Sequence, residues 1–211
     1  MAVAQKANSL KEEISDFKRR RIREEASHLF YELGYEGTTI DAIAQRLDVT
    51  KPFIYSYYRN KSELLDDICR TGISLSLEAM DLACEGDKTP TERLVQIVQK
   101  VLRIIIDYQE YIVVYEREEK NLEAKQARAI REQRKLFDHR LAELLEEGHK
   151  CGEFVIHDPV LTATTIGGMI TWVSFWYSPT GKRSEHEITT HVIDTVRAVV
   201  RLDEDTSKQA G

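Results

Sequence analysis

Residues 39–65 read TIDAIAQRLDVTKPFIYSYYRNKSELL, and this stretch decides the fold. Ile40, Ile43, Ala44 and Leu47 recur in steps of 3, 1 and 3, which sets them on one face of a helix. Thr38 or Thr39 is a natural N-cap, because a hydroxyl there satisfies an orphan backbone N–H. Asp48-Val49-Thr50 interrupts the pattern. Thr50-Lys51-Pro52 restarts it, with Pro52 in the first turn, where its missing N–H costs nothing. Ile54 and Tyr58 face inward, leaving Thr50, Lys51, Phe53, Tyr55, Ser56 and Tyr57 on or near the outer face. Asn60 or Ser62 then opens a further helix that begins with Leu64 and Leu65. Helix, turn, second helix and capped third helix is the order of a helix-turn-helix, whose second helix enters the DNA major groove.

An apolar pattern alone would suit a helical hairpin used only for packing. Here the outer face carries Lys51, Tyr55, Ser56, Tyr57 and Lys61, all donors able to reach phosphates or bases. Charge points the same way. The 211 residues carry a net charge of −6, yet residues 1–61 hold 11 Lys or Arg against 9 Asp or Glu. The positive excess is thus concentrated on the segment that would meet DNA, and the acidic remainder is held away from phosphate. Lys18-Arg19-Arg20-Arg21, with Arg23, is the densest basic cluster, and its place in the helix before the motif favours phosphate contact.

Working outward, 42% hydrophobic residues support a packed core, and 31% charged residues mark a solvated, helix-rich surface. Four prolines, ten glycines and no sustained alternation argue for an all-α chain of about nine helices. Residues 1–13 read as an arm outside the fold, followed by a helix over 14–33 with Gly34 as its C-cap. Further helices are expected from 61 or 62 to 84, from Pro90, over 108–117, over 122–150, over 159–177 and from Ser184, before a polar tail at 203–211. Cys69, Cys84 and Cys151 are widely spaced and form no CxxC pair, which fits a reducing cytoplasm. The N-terminus lacks the apolar core of a signal peptide. The most apolar run, 163–177, is shorter than the ~20 residues of a membrane span. Six scattered histidines form no HExxH, and no GxSxG, P-loop or GxGxxG pattern occurs, so neither enzyme activity nor a metal site is expected.

The segment from Gly34-Tyr35-Glu36-Gly37-Thr38-Thr39 through Leu47-Asp48-Val49-Thr50-Lys51 and Ile54-Tyr55-Ser56-Tyr57-Tyr58 to Asn60-Lys61-Ser62-Glu63-Leu64-Leu65 resembles the tetracycline-repressor (TetR) family of dimeric bacterial regulators. Asp48 stands where the family more often has glycine, and Asp tolerates a left-handed backbone better than most residues. Phe53 occupies a position that is usually small or hydroxylated. The resemblance implies a DNA-binding domain over 1–60, with its motif at 39–58, and an effector-binding and dimerisation domain over 61–211. It places Thr39, Thr50, Lys51, Pro52, Phe53, Tyr55, Ser56, Tyr57 and Lys61 on double-stranded operator DNA, with Lys61 and Tyr57 on phosphates. Trp172, three residues, then Trp176-Tyr177-Ser178-Pro179-Thr180-Gly181 looks like helix 8 of family members that sense acyl-coenzyme A thioesters. The resemblance makes helices 8 and 9 the homodimer interface, with Gly167-Gly168 allowing close approach.

No resident cofactor is implied; the expected ligand is a hydrophobic small-molecule effector. Ile104, Ile105, Tyr108, Tyr111, Trp172, Phe175 and Trp176 are the candidate walls of its tunnel, and Arg117, Lys182 and Arg183 the candidate cations at the mouth. The function implied is a repressor released from a palindromic operator by such an effector. Two rivals stand beside it: a repressor responding to drugs or aromatic compounds, and a non-enzymatic architectural or protein-docking helical module.

Overall fold

The computed structural model describes residues 2–200, and side chains from residue 11 onward. Among the described residues there are nine α-helices and no strand: α1 (Ala2–Gly37), α2 (Ile40–Arg46), α3 (Lys51–Tyr55), α4 (Lys61–Ala83), α5 (Pro90–Asp107), α6 (Gln109–Glu118), α7 (Ala124–Lys150), α8 (Pro159–Trp176) and α9 (Glu185–Val199). A 3-10 turn, Glu119–Asn121, lies between α6 and α7. The all-α expectation holds. The polar tail at 203–211 lies outside the described residues.

The helix starts follow from their caps. The Thr39 hydroxyl accepts the Ala42 N–H at 3.1 Å, and the Asn60 side chain accepts that of Glu63 at 2.8 Å. Capping boxes open α5 at Thr89–Glu92 and α9 at Ser184–Glu187. Asp158 takes the N–H groups of Val160 and Leu161 at the start of α8. Gly34 sits at φ 75°, so the axis of α1 breaks where the sequence places its stop. Asp48, at φ 52°, is the non-glycine residue that makes the α2–α3 turn left-handed. One boundary departs from expectation. Residues 2–13 join α1 rather than forming an arm, because that segment contains neither proline nor glycine and is rich in Ala, Gln, Lys and Glu.

The chain divides into two compact units. The first comprises the described residues up to Thr71, with Val113–Ala127. Ile22, Ala26, Leu29 and Phe30 of α1, Ile43 of α2, Ile54 of α3 and Leu64, Leu65 and Ile68 of α4 are buried in it. The second comprises Gly72–Ile112 and the described residues from Arg128 onward. Its core joins Leu94, Val98, Val101, Leu102 and Ile105 of α5 to Leu141 and Leu145 of α7, Ile166, Ile170 and Val173 of α8, and Val192 and Val196 of α9. The strongly one-sided α5 is the centre of that core, packing on both α8 and α9.

Packing in the second unit is tight where α7 ends. A β-carbon on Gly148 would run into the Phe154 ring, which is itself fully buried and has nowhere to move. We expect Gly148→Ala to lower stability by about 1–3 kcal/mol through overpacking, despite the gain in helix propensity. A urea melt of the variant measures this, and an unchanged midpoint would contradict it.

Candidate nucleic-acid interface

The outer surface of the helix-turn-helix is built on a buried floor. Ile40, Ile43 and Ala44 of α2, Ile54 of α3 and Tyr58 beyond it are withdrawn from solvent. The Thr38 hydroxyl is fully buried and donates toward the carbonyls of Leu29 (3.1 Å) and Gly34 (2.9 Å), fixing the approach to α2. The Val49 N–H donates to the Ala44 carbonyl at 3.0 Å and closes the turn. Above this floor Thr39, Thr50, Lys51, Pro52, Tyr55 and Ser56 are exposed, while Phe53 and Tyr57 are half-buried against one another with ring centroids 5.3 Å apart.

The donors on this face differ in how much they have to offer. The Lys51 ammonium pairs with Asp41 at 2.7 Å, and that carboxylate raises its pKa. The Ser56 hydroxyl donates to the Phe53 carbonyl at 2.7 Å. Thr50 caps α3 without a side-chain hydrogen bond. Tyr55 is 45% exposed, and its phenol has no hydrogen-bond partner among the described residues. Lys61 is turned inward. Its ammonium donates to the carbonyls of Tyr35 (2.7 Å) and Thr38 (2.9 Å) and lies 4.1 Å from the centroid of the Tyr35 ring. Two of its three donors are therefore spent inside the protein, where they tie the start of α4 to the turn before α2. The sequence, which set Lys61 on phosphate, gives no sign of this, because both acceptors are main-chain atoms more than twenty residues away.

The basic cluster of α1 is likewise divided by its partners. Asp67 of α4 receives Arg19 Nε at 3.1 Å, Arg23 Nη1 at 3.2 Å and the Tyr58 hydroxyl at 2.6 Å. Arg19 also stacks on the Tyr58 ring at 4.7 Å. Burial pushes the Asp67 carboxyl up, but the Tyr58 hydrogen bond and the two guanidinium groups outweigh it and hold the group below the usual carboxylate range. Tyr58 moves in the opposite direction, raised first by burial and then by its bond to Asp67. Arg20 and Arg21 both lie on Glu24.

The expected effector residues fall in several places. Ile105 is part of the second unit's core, and Tyr111 is buried with its ring edge-on to Tyr108 at 5.3 Å. Trp172, Phe175 and Trp176 are 62%, 42% and 49% exposed, with Trp172 stacked on Phe175 at 5.0 Å. Ile166, Ile170 and Val173 are the α8 positions that meet the core, and the three rings lie on its other side. The three rings thus stand away from the core that holds Ile105. The physical reason is that α8 is apolar all round, so its sequence gives no preferred face. Arg117 stacks on Tyr31 at 5.3 Å in the first unit. In the second, Arg183 pairs with Glu187 at 3.1 Å and Lys182 is exposed. Ile104 lines a groove of about 1100 Å³ among α4, α5 and α9, together with Leu75, Leu82, Lys100 and Arg103. The sequence did not point to this groove, since it needs three helices far apart in the chain. Among the described residues no group of three His, Cys, Asp or Glu could hold a metal, and no helix is long and apolar enough to cross a membrane.

Comparison with known proteins agrees with this architecture. Residues 22–68 match the family model for bacterial regulatory proteins of the tetR family, and residues 87–200, just over half of the chain, match that of the tetracyclin repressor-like C-terminal domain. The chain belongs to the TetR family and is a DNA-binding transcriptional regulator. The transcriptional repressor KstR2 of Mycobacterium tuberculosis is 25% identical over 181 residues, covering 81% of this chain and 86% of its own. The crystal structure of PfmR from Thermus thermophilus superposes with a TM-score of 0.78 at 26% identity, covering 87% of this chain and 99% of that one. AibR, solved with isovaleryl coenzyme A and operator DNA, shares the fold with a TM-score of 0.74 at 24% identity, covering 84% and 97% of the two chains.

Asp67 gives the interface its pH signature. A carboxyl held below its unfolded value contributes stability that is present above the ordinary carboxylate range, ~4, and is lost as pH falls through the folded value. We expect Asp67→Asn to lower stability by about 2 kcal/mol at neutral pH. The loss should be smaller at a pH well below that range, where the ionised carboxylate no longer favours the folded state. Urea melts at both pH values decide it; an equal loss at each would show that ionisation of Asp67 is not involved.

Proposed function

We propose that the protein is a repressor that binds a near-palindromic operator as a homodimer and leaves it when a hydrophobic effector, an acyl-coenzyme A thioester, binds the second unit. The observation that carries DNA reading is the exposed outer face of α3 and its N-cap, with the hydroxyls of Thr50 and Tyr55 free of protein partners among the described residues. Thr39, Pro52 and Ser56 complete that face, with Lys51 available by exchanging Asp41 for phosphate. Residues 1–60 serve DNA, and 61–211 serve dimerisation and the effector. KstR2 is a transcriptional repressor and AibR binds both isovaleryl coenzyme A and operator DNA, which supports the same pairing of activities here.

The dimer follows from what α8 leaves uncovered. Leu161 (65% exposed), Gly168, Trp172, Phe175 and Trp176 lie along one side of the helix, and the space around Gly168 is open. A contiguous apolar stripe of this kind marks an interaction surface, and a two-fold contact between identical stripes closes on itself. α9 lies beside α8 and adds Val199 to the exposed apolar surface. Dimerisation sets two α3 helices one helical turn of DNA apart. The effector acts by favouring a dimer with a different spacing, a coupling of about 1–3 kcal/mol. The groove of about 1100 Å³ has room for such a thioester, with Leu75, Leu82 and Ile104 for the acyl chain and Lys100 for phosphate, joined by Arg103 once it exchanges Asp107 or Glu185.

Two experiments test this reading. Gly168→Asp should sediment as a folded monomer that binds full operator poorly, and an unchanged dimer mass would remove α8 as the interface. The same charge at Val196 would be uninformative, since that side chain is buried in its own chain's core. Titration of the operator complex with acyl-coenzyme A thioesters and their matching free acids should show release by thioesters alone. Equal potency of acids, or release by aromatic compounds and not thioesters, would overturn the acyl-coenzyme A assignment.

A further inference from the structure

The helix-turn-helix has spent its positive charge within the protein. Of its cations, Arg46 pairs with Glu25 at 2.8 Å, Lys51 with Asp41 and Arg59 with Glu63 at 3.3 Å, while Lys61 is held by two carbonyls. On α1, Arg19 and Arg23 belong to Asp67, and Arg20 and Arg21 to Glu24. Among residues 11–61 of the described chain, this leaves two lysines with neither a hydrogen bond nor an ion pair: Lys11 and Lys18. They are seven residues apart, two turns of helix, and so share one face about 10 Å along the axis. The direction of that face is fixed at one end. The Lys18 ammonium lies 5.8 Å from the centroid of the Phe53 ring, on α3 itself, and Phe53 is braced from behind by Tyr57.

We infer that the segment of α1 from Lys11 to Arg21 is a second DNA contact, in which Lys18 and Lys11 hold backbone phosphates flanking the bases that α3 faces. This segment precedes the stretch matched by the family model, which begins at residue 22. Phe53 acquires a role by the same geometry: its ring stands where a small residue is usual and carries the Lys18 ammonium at the edge of the reading surface. A lysine without a carboxylate gives up no internal bond on meeting phosphate, whereas Lys51 or Arg46 must first release one. The contacts are to phosphate, so they add affinity and footprint length without base preference.

The inference rests on the DNA-binding reading above, and the test separates the two. Wild-type protein first selects a duplex from a randomised pool; Lys11→Gln, Lys18→Gln and the control Lys135→Gln, an exposed lysine of α7, are then titrated across a salt series. The probes are the selected duplex and an unselected one. Each phosphate contact contributes ~0.9 to the slope of log K against log salt, and the dimer carries each lysine twice, so Lys11→Gln and Lys18→Gln should each lower it by about 1.8 on both duplexes. Affinity at 0.1 M salt should fall roughly 60-fold per variant, with Lys135→Gln unchanged. Ethylation interference should lose phosphates at the outer ends of the protected segment. Wild-type slopes in both α1 variants would overturn the α1 contact and leave the regulator intact. Failure of the wild-type chain to select any duplex would overturn both.

Discussion

The reading head depends on one half-buried carboxylate. Asp67, its side chain 20% exposed, is the point where α1, the end of the helix-turn-helix and α4 meet, and it receives two guanidinium groups and a phenol. Burying that charge is unfavourable by itself, and the three donors together reverse the balance. The geometry they impose is specific. Tyr58 follows the recognition helix directly, so anchoring its hydroxyl on α4 fixes where α3 stands relative to both supporting helices. Lys61 closes the opposite side by holding the carbonyls of Tyr35 and Thr38. A helix as short as α3 has little stability of its own, so its position is set by these anchors and by Ile54 beneath it.

The same anchors explain how the charge of the protein is used. A basic cluster in α1 looks like a phosphate clamp, but four of its five cations serve the fold or each other's acidic neighbours. The hydrogen bond from the Tyr35 N–H to Glu118 (3.2 Å), with Asn121 on the other carboxylate oxygen, ties the turn before α2 to the end of α6 within the first unit. That contact touches the same turn that Lys61 and Thr38 hold.

What the sequence revealed was mostly local. Thr39, Asn60 and Ser184 each announce a helix start in the sequence, and each cap is present, with Thr89 and Asp158 as further caps in the structure. The inward set Ile40, Ile43, Ile54 and Tyr58 follows from helical period alone. What it concealed was non-local or ambiguous. Arg19 and Asp67 are 48 residues apart, and nothing in the run Lys18–Arg21 distinguishes a structural arginine from a free lysine. The aromatic residues of α8 were legible as important but not as outward-facing, because a helix apolar on all sides defines no inner face. Polar composition at the chain's start reads as an arm, yet residues 2–13 continue α1 because they are good helix formers.

In the function we propose, the exposed α3 surface reads DNA and the exposed α8 surface pairs two copies. Hydroxyl-radical footprinting of the wild-type protein on DNA it has selected tests that account most directly. The account predicts protection of one short segment with two-fold symmetry, its halves about one helical turn apart. Uniform coating of any duplex at the same protein concentration would contradict it.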